Sequence, residues 1–211
     1  MICSSTQDLI RIITKKGRVI INMNAEIQDY RDNKRKKEMI DGKIYLMARP
    51  CREHINVQDN ITMIFNSYFK QNKRKCRAMT EDKLYINEDN YLEPDIKILC
   101  RETRKDDIPV IVVEVLSKST SDRDLGVKME KYAELGIKEY WIISWEMSTV
   151  NIYLLNENKK YDHYKSYAFF SDEKELRRLD EKELKEVVTE FSPTSFPELK
   201  IQLEEVFDLF V

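Results

Sequence analysis

The segment Pro109-Val110-Ile111-Val112-Val113-Glu114-Val115-Leu116 is apolar on both of its alternating faces except at Glu114. A strand that shows apolar side chains to both sides belongs inside a sheet covered on both faces. This asks for an α/β (α+β) chain in which helices flank a mixed sheet. It also singles out Glu114, because glutamate is almost never fully buried unless it is paired. Taking a carboxylate out of water is costly even after relaxation, so Glu114 needs partners. A permanent ion pair is the simpler reading and a reactive site the sharper one.

Asp95 is the acidic residue best placed to join it. In Glu93-Pro94-Asp95-Ile96-Lys97-Ile98-Leu99 it opens a strand, and proline is tolerated at a strand start. Two carboxylates side by side repel unless a cation lies between them. A hard divalent ion, Mg²⁺ or Mn²⁺, meets that need with one or two protein carboxylates completed by waters and phosphate. The backbone carbonyl of Val115 is a further candidate ligand.

A lysine from the following helix completes the set. Ser117 to Asp122 is rich in capping residues and precedes a helix over about 123–135, closed by Gly136. Leu125, Met129 and Tyr132 define its buried stripe, and Lys128 falls inside it. Six residues into a helix from Asp122 is roughly 9 Å. Glu114 lies three residues back from Ser117, roughly 10 Å along a strand, so an antiparallel return sets the two level. An Asp124–Lys128 bridge is the plainer alternative. Lys131 and Lys97, which shares a strand face with Asp95, are second choices.

The rest of the chain reads as one domain over 26–211, with residues 1–25 an N-terminal extension of unassigned role. A helix over 31–41, ended by Gly42 as its C-cap, carries Glu38 as a fourth catalytic candidate acting through water. His54 precedes a helix whose Val57, Ile61, Ile64, Phe65 and Tyr68 form one apolar face; capping or packing is its simpler role. Strands are expected at 83–86, 95–100, 109–116 and 139–143, with Trp141 in the core, and a hairpin at 150–155 and 161–168. Residues 171–190 read as a charged, solvated helix.

Composition removes several function classes. With 36 basic and 38 acidic side chains the formal net charge is −2, so any grip on phosphate rests on local clusters. Two stand out: Lys34, Arg35, Lys36 and Lys37, and Lys70, Lys73, Arg74, Lys75 and Arg77. Four glycines supply no phosphate-cradling loop, and two histidines without a CxxC pair make a zinc site a poor fit. Cys3, Cys51, Cys76 and Cys100 read as reduced thiols of a cytoplasmic protein. No apolar run reaches the roughly 18 residues of a membrane span.

The same residues carry a family likeness. Pro94-Asp95, then Glu114 about twenty residues on, followed by a lysine, resembles the PD-(D/E)XK nuclease superfamily; the usual lysine position, two after Glu114, is Leu116. The longer string Val113-Glu114-Val115-Leu116-Ser117, Ser119-Thr120, Asp124-Leu125-Gly126, Lys128, Tyr132, Gly136-Ile137 and Glu139-Tyr140-Trp141-Ile142 resembles the Uma-type restriction-endonuclease family. Glu38-Met39-Ile40-Asp41-Gly42, His54 and Phe196-Pro197-Glu198-Leu199 extend the likeness. Its acidic residue after the Trp141 strand is here Ser144 followed by Trp145, and 171–190 is expanded. The resemblance implies a restriction-endonuclease-like fold with four to five strands, and a lysine moved onto the helix at Lys128. It also implies Mg²⁺- or Mn²⁺-dependent hydrolysis of nucleic acid, DNA above all, and a homodimer. A catalytically inactive module that binds nucleic acid or a protein partner is the alternative.

Overall fold

The structure is a computed structural model that describes residues 36–101, 108–117, 124–172 and 176–208, all within the unit Lys36–Val211. In chain order the elements are β1 (Lys37–Ile40), β2 (Lys43–Leu46), α1 (Arg52–Gln71), β3 (Cys76–Thr80), β4 (Leu84–Asn87), β5 (Asn90–Leu92), β6 (Ile96–Cys100) and β7 (Ile111–Val115). They continue as α2 (Val127–Leu135), β8 (Glu139–Ser144), β9 (Thr149–Leu155), β10 (Tyr161–Ala168), α3 (Glu181–Glu186), β11 (Glu190–Phe191), β12 (Ile201–Gln202) and α4 (Leu203–Phe207). Residues 1–35 lie outside the description, and with them the expected 25/26 boundary, Lys34 and Arg35.

The apolar segment is indeed central. A six-stranded sheet runs β10-β9-β8-β7-β6-β3, and every residue of β7 is buried. Only β7 and β8 are parallel; the other pairings in this sheet are antiparallel. A parallel pair needs a crossover, and α2 supplies it. The fold is thus a mixed α/β sheet, with more strands than the four to five expected.

Alternation along β7 divides the interior in two. Ile111, Val113 and Val115 join Trp141 and Ile143 of β8 and Val57, Ile61, Phe65 and Phe69 of α1 in the larger core. Val112 faces the other way, toward Tyr132, Tyr140, Ile142 and the β1, β4 and β5 residues Ile40, Leu84 and Leu92. The candidate site side chains Glu114 and Lys128 collect on this second face.

The first segment differs from its sequence reading. Residues 37–40 are a strand and not the end of a helix, paired with β2 from Lys37↔Leu46 to Ile40↔Lys43. Asp41 and Gly42 connect them at φ 49° and 73°, and a two-residue hairpin loop wants positive φ at both positions. Asp-Gly serves that turn as well as Gly serves a helix end, and pairing of Met39 with Tyr91 of β5 decides in favour of the strand. A separate sheet, β2-β1-β5-β4, results.

Three other expectations change. His54 lies inside α1 rather than before it. Of the charged stretch, residues 173–175 lie outside the description, and its described part carries the six-residue α3, capped by Asp180 and burying nothing. Cys76 and Cys100 are directly opposite in the β3–β6 register and form a disulfide, so they are not reduced thiols; Cys51 is free. Among the described residues, no helix is long and apolar enough to cross a membrane.

Candidate active site

Register places the two central acids together. Ile96 of β6 pairs with Val113 of β7, so one step outward Asp95 stands opposite Glu114 on the same sheet face. The Asp95 N–H donates to Glu114 Oε2 at 3.4 Å, and the Val115 N–H donates to Asp95 Oδ2 at 2.8 Å. From the other side of the sheet, Gln58 Nε2 of α1 holds the Asp95 carbonyl at 2.9 Å. Backbone and side chain of Asp95 are therefore both fixed before any ligand arrives.

Lys128 closes the acidic side. Its Nζ lies 3.0 Å from Glu114 Oε1, 2.8 Å from Glu38 Oε1 and 3.0 Å from Asp124 Oδ1. The contact with Glu114 and the plainer Asp124 bridge thus coexist on one ammonium, which is 1% exposed. The route to this outcome is not the expected one: α2 begins at Val127, after Gly126 at φ −119°, ψ −107°. Lys128 therefore sits in the first turn, and Leu125, placed before the helix, is 49% exposed instead of joining the stripe. Tyr132, one turn on, donates its hydroxyl to Glu114 Oε1 at 2.6 Å. Glu38 comes from β1, is fully buried, and accepts the Glu93 N–H at 3.2 Å.

The Asp95 side holds two groups whose part the sequence did not show. Lys36 Nζ is 2.7 Å from Asp95 Oδ1, and His54 Nε2 is 3.2 Å from Asp95 Oδ2. The sequence places Lys36 in a basic cluster suited to phosphate; in the fold it immediately precedes β1 and pairs with the acid. His54 sits near the α1 N-terminus, one helical turn before Gln58. An i, i+4 His-Gln pair on a helix facing an expected acidic strand start was the available signal.

Four carboxylates (Glu38, Asp95, Glu114, Asp124) thus face two ammonium groups (Lys36, Lys128), leaving two formal negative charges unmatched. The surplus shows in the ionisation. Burial, followed by the charges of Asp95 and Asp124, pushes Glu114 up to about 8 against the pull of Lys128. Burial also opposes ionisation of Asp95, but Lys36 and His54 outweigh it and hold that carboxyl well below the usual range. Burial would lower Lys128, yet Glu114, Asp124 and Glu38 keep it well above an ordinary lysine. Without a further cation, the cluster relieves its charge by taking a proton on Glu114.

A cavity of about 230 Å³ opens over these groups, lined among others by Lys36, Arg49, His54, Asp95, Glu114, Val115, Ser117, Lys128 and Trp145. Glu38 Oε2 and His54 Nδ1 are buried without a hydrogen-bond partner. Among the described residues, no group of three or more His, Cys, Asp or Glu side chains is arranged to hold a metal ion. The donor set is two carboxylates plus backbone, which suits an oxygen-seeking ion that retains waters.

The other basic candidates go elsewhere. Lys97 Nζ is held by Asp82 Oδ2 and the Lys83 carbonyl, both at 2.8 Å. Lys131 Nζ pairs with Asp41 at 3.0 Å. Lys73, Arg74 and Lys75 follow the far end of α1, a 20-residue helix and so ~30 Å long; Arg74 lies 3.8 Å from Glu198. Glu139, which the sequence marks only as part of the family-like string, is fully buried and accepts from Trp141 Nε1, the N–H groups of Thr194 and Ser195, and both their hydroxyls. It is a structural acid that anchors the loop after β11.

Comparison with known proteins follows the same lines. The family model Uma2, described as "Putative restriction endonuclease", matches residues 25–189. Protein slr1290 of Synechocystis sp. (strain ATCC 27184 / PCC 6803 / Kazusa), itself uncharacterised, is 29% identical over 131 residues, 58% of this chain and 68% of that protein. A crystal structure from Anabaena variabilis ATCC 29413, described as a "putative nuclease belonging to DUF820", shares the fold. Its TM-score is 0.60 at 20% identity, over 81% of this chain and 89% of that one.

Proposed function

This chain is a member of the Uma2 family, and on that premise we propose that it is a nuclease that hydrolyses phosphodiester bonds of nucleic acid with a divalent metal ion. The observation that carries the reading is the in-register meeting of Asp95 and Glu114, with Lys128 3.0 Å from Glu114, at the wall of a cavity. Asp95, Glu114 and the Val115 carbonyl would hold Mg²⁺ or Mn²⁺, which when bound polarises a phosphoryl oxygen and acidifies a coordinated water.

The chain's own groups prepare that step. The Val115 N–H and His54 orient Asp95, while Tyr132 and Lys128 orient Glu114. Lys128 stays an ammonium, because three carboxylates surround it. It is therefore a positioning charge, offsetting negative charge that builds on the phosphate, and not a base. Glu38 keeps that ammonium in place and offers an unpartnered oxygen to a water. DNA is the substrate to test first, and a homodimer would present two such pockets to the strands of a duplex.

The test is cleavage of single- and double-stranded DNA and RNA with Mg²⁺, Mn²⁺ or chelator. Activity should need the metal and fall by a factor on the order of 100 or more in Asp95→Ala and Glu114→Ala. Cleavage that persists in chelator and in Asp95→Ala would eliminate the mechanism. Metal-independent binding without cleavage would favour the inactive binding module instead.

A further inference from the structure

Of the two ammonium groups in the cluster, only one can leave. Lys128 is locked among three carboxylates with its side chain 1% exposed. The Lys36 side chain is 15% exposed and lines the cavity, and among the described residues its ion pair is with Asp95. Its backbone is pinned, since the Met47 N–H donates to the Lys36 carbonyl at 3.0 Å, but the four-carbon stem of a lysine can swing. Its contact matters equally. Asp95 Oδ2 already takes the Val115 N–H and His54, so Oδ1 is the oxygen left for an incoming ion, and Lys36 Nζ sits on Oδ1 at 2.7 Å.

We infer that Lys36 is a place-holding cation: it occupies Asp95 Oδ1 in the metal-free chain, and a substrate phosphate entering the cavity draws it away, so that nucleic acid and metal ion load together. The inference rests on the proposed metal site and adds its control. A divalent ion at Oδ1 and an ammonium on the same oxygen repel one another, so each weakens the other. A phosphodiester in the cavity offers Lys36 a second anionic partner and frees the first. By linkage, whatever factor nucleic acid adds to metal affinity, the metal adds to nucleic-acid affinity. The chain thereby avoids holding a loaded hydrolytic site with no substrate present.

The test is equilibrium binding of Mn²⁺ to the full chain, read as free Mn²⁺ by electron paramagnetic resonance, with and without a DNA duplex carrying hydrolysis-resistant phosphorothioate linkages. Lys36→Met keeps the stem and removes the charge; it should bind Mn²⁺ roughly tenfold tighter than wild type without DNA, ~1.4 kcal/mol. DNA should tighten Mn²⁺ binding to wild type roughly tenfold and leave Lys36→Met nearly unchanged. Lys36→Arg, which keeps the charge, should behave as wild type. Equal or weaker Mn²⁺ binding in Lys36→Met, or the same DNA effect in both proteins, overturns the place-holder. If wild type and Lys36→Met bind Mn²⁺ no better than Asp95→Ala, the metal site itself is absent, and the proposed function and this inference fall together.

Discussion

Replacing Lys128 with methionine keeps the stem and removes the positive centre of a cluster that already carries surplus negative charge. Glu38 and Asp124, at 2.8 and 3.0 Å, lose their counter-charge, and Glu114, which burial pushes up to about 8, loses a donor at 3.0 Å. At an effective dielectric constant of ~20, one ionised contact at ~3 Å represents ~5.5 kcal/mol of attraction, and no ordinary domain could lose that twice over. The cluster has another outlet: one more carboxylate takes up a proton. At about pH 7 this costs ~3.7 kcal/mol for a glutamate of ordinary pKa ~4.3, at ~1.36 kcal/mol per unit. That figure caps the electrostatic loss, and the variant no longer desolvates an ammonium, so we expect a loss of about 3 kcal/mol.

The pH dependence has a definite sign. The extra proton is bound by the folded variant and not by its unfolded chain. The variant's deficit therefore grows as pH rises above the unfolded value and shrinks by ~1.4 kcal/mol per unit as pH falls toward it. Glu114 acts in the same sense in the wild type: raised from 4.5 to about 8, it contributes stability that is full below its unfolded value and lost as pH rises through about 8. Urea unfolding in chelator, followed by circular dichroism across this range, measures both. A loss under ~1 kcal/mol at neutral pH, or one that stays constant on acidification, refutes the charge count.

Two further perturbations test other parts of the fold. Glu139→Ala strands three fixed N–H donors, those of Trp141 Nε1, Thr194 and Ser195, and should cost about 3–5 kcal/mol in urea unfolding while the folded chain still binds Mn²⁺; a stability loss without that binding would make Glu139 part of the site. Reducing the Cys76–Cys100 bridge reopens a loop with a sequence separation of 24, worth about 3 kcal/mol; unfolding midpoints that coincide with and without reductant would show that the bridge contributes nothing.

The central strand and its acids were legible because a charged residue inside an apolar run contradicts its surroundings. Glu114 and Lys128 stand out that way, each as an ionisable group among apolar neighbours, and Asp95 through its place after Pro94 at the start of the neighbouring strand. Lys36 was not, since a lysine within a basic run at a polar chain segment carries no such contradiction. Strand register was the main thing hidden: it pairs Cys76 with Cys100 and turns Glu38 inward from β1, and neither follows from local pattern. The Asp41-Gly42 pair fits a helix end and a hairpin equally, and only contact with β5 separates them. The start of α2 was misjudged, yet Lys128 still met Glu114, because its depth in the sheet layer is set by the crossover more than by the first helical residue.

The β1–β2 hairpin has a consequence for how the molecule comes into being. It delivers Lys36 and Glu38 to partners far along the chain, Asp95 at a separation of 59 residues and Lys128 further still. Contacts of such long range form slowly, after local helices and turns. A nascent chain halted before α2 would hold both central acids without the ammonium that reconciles them. The buried charge cluster is therefore complete only once α2 has been made and docked, and chains cut before Val127 should lack it.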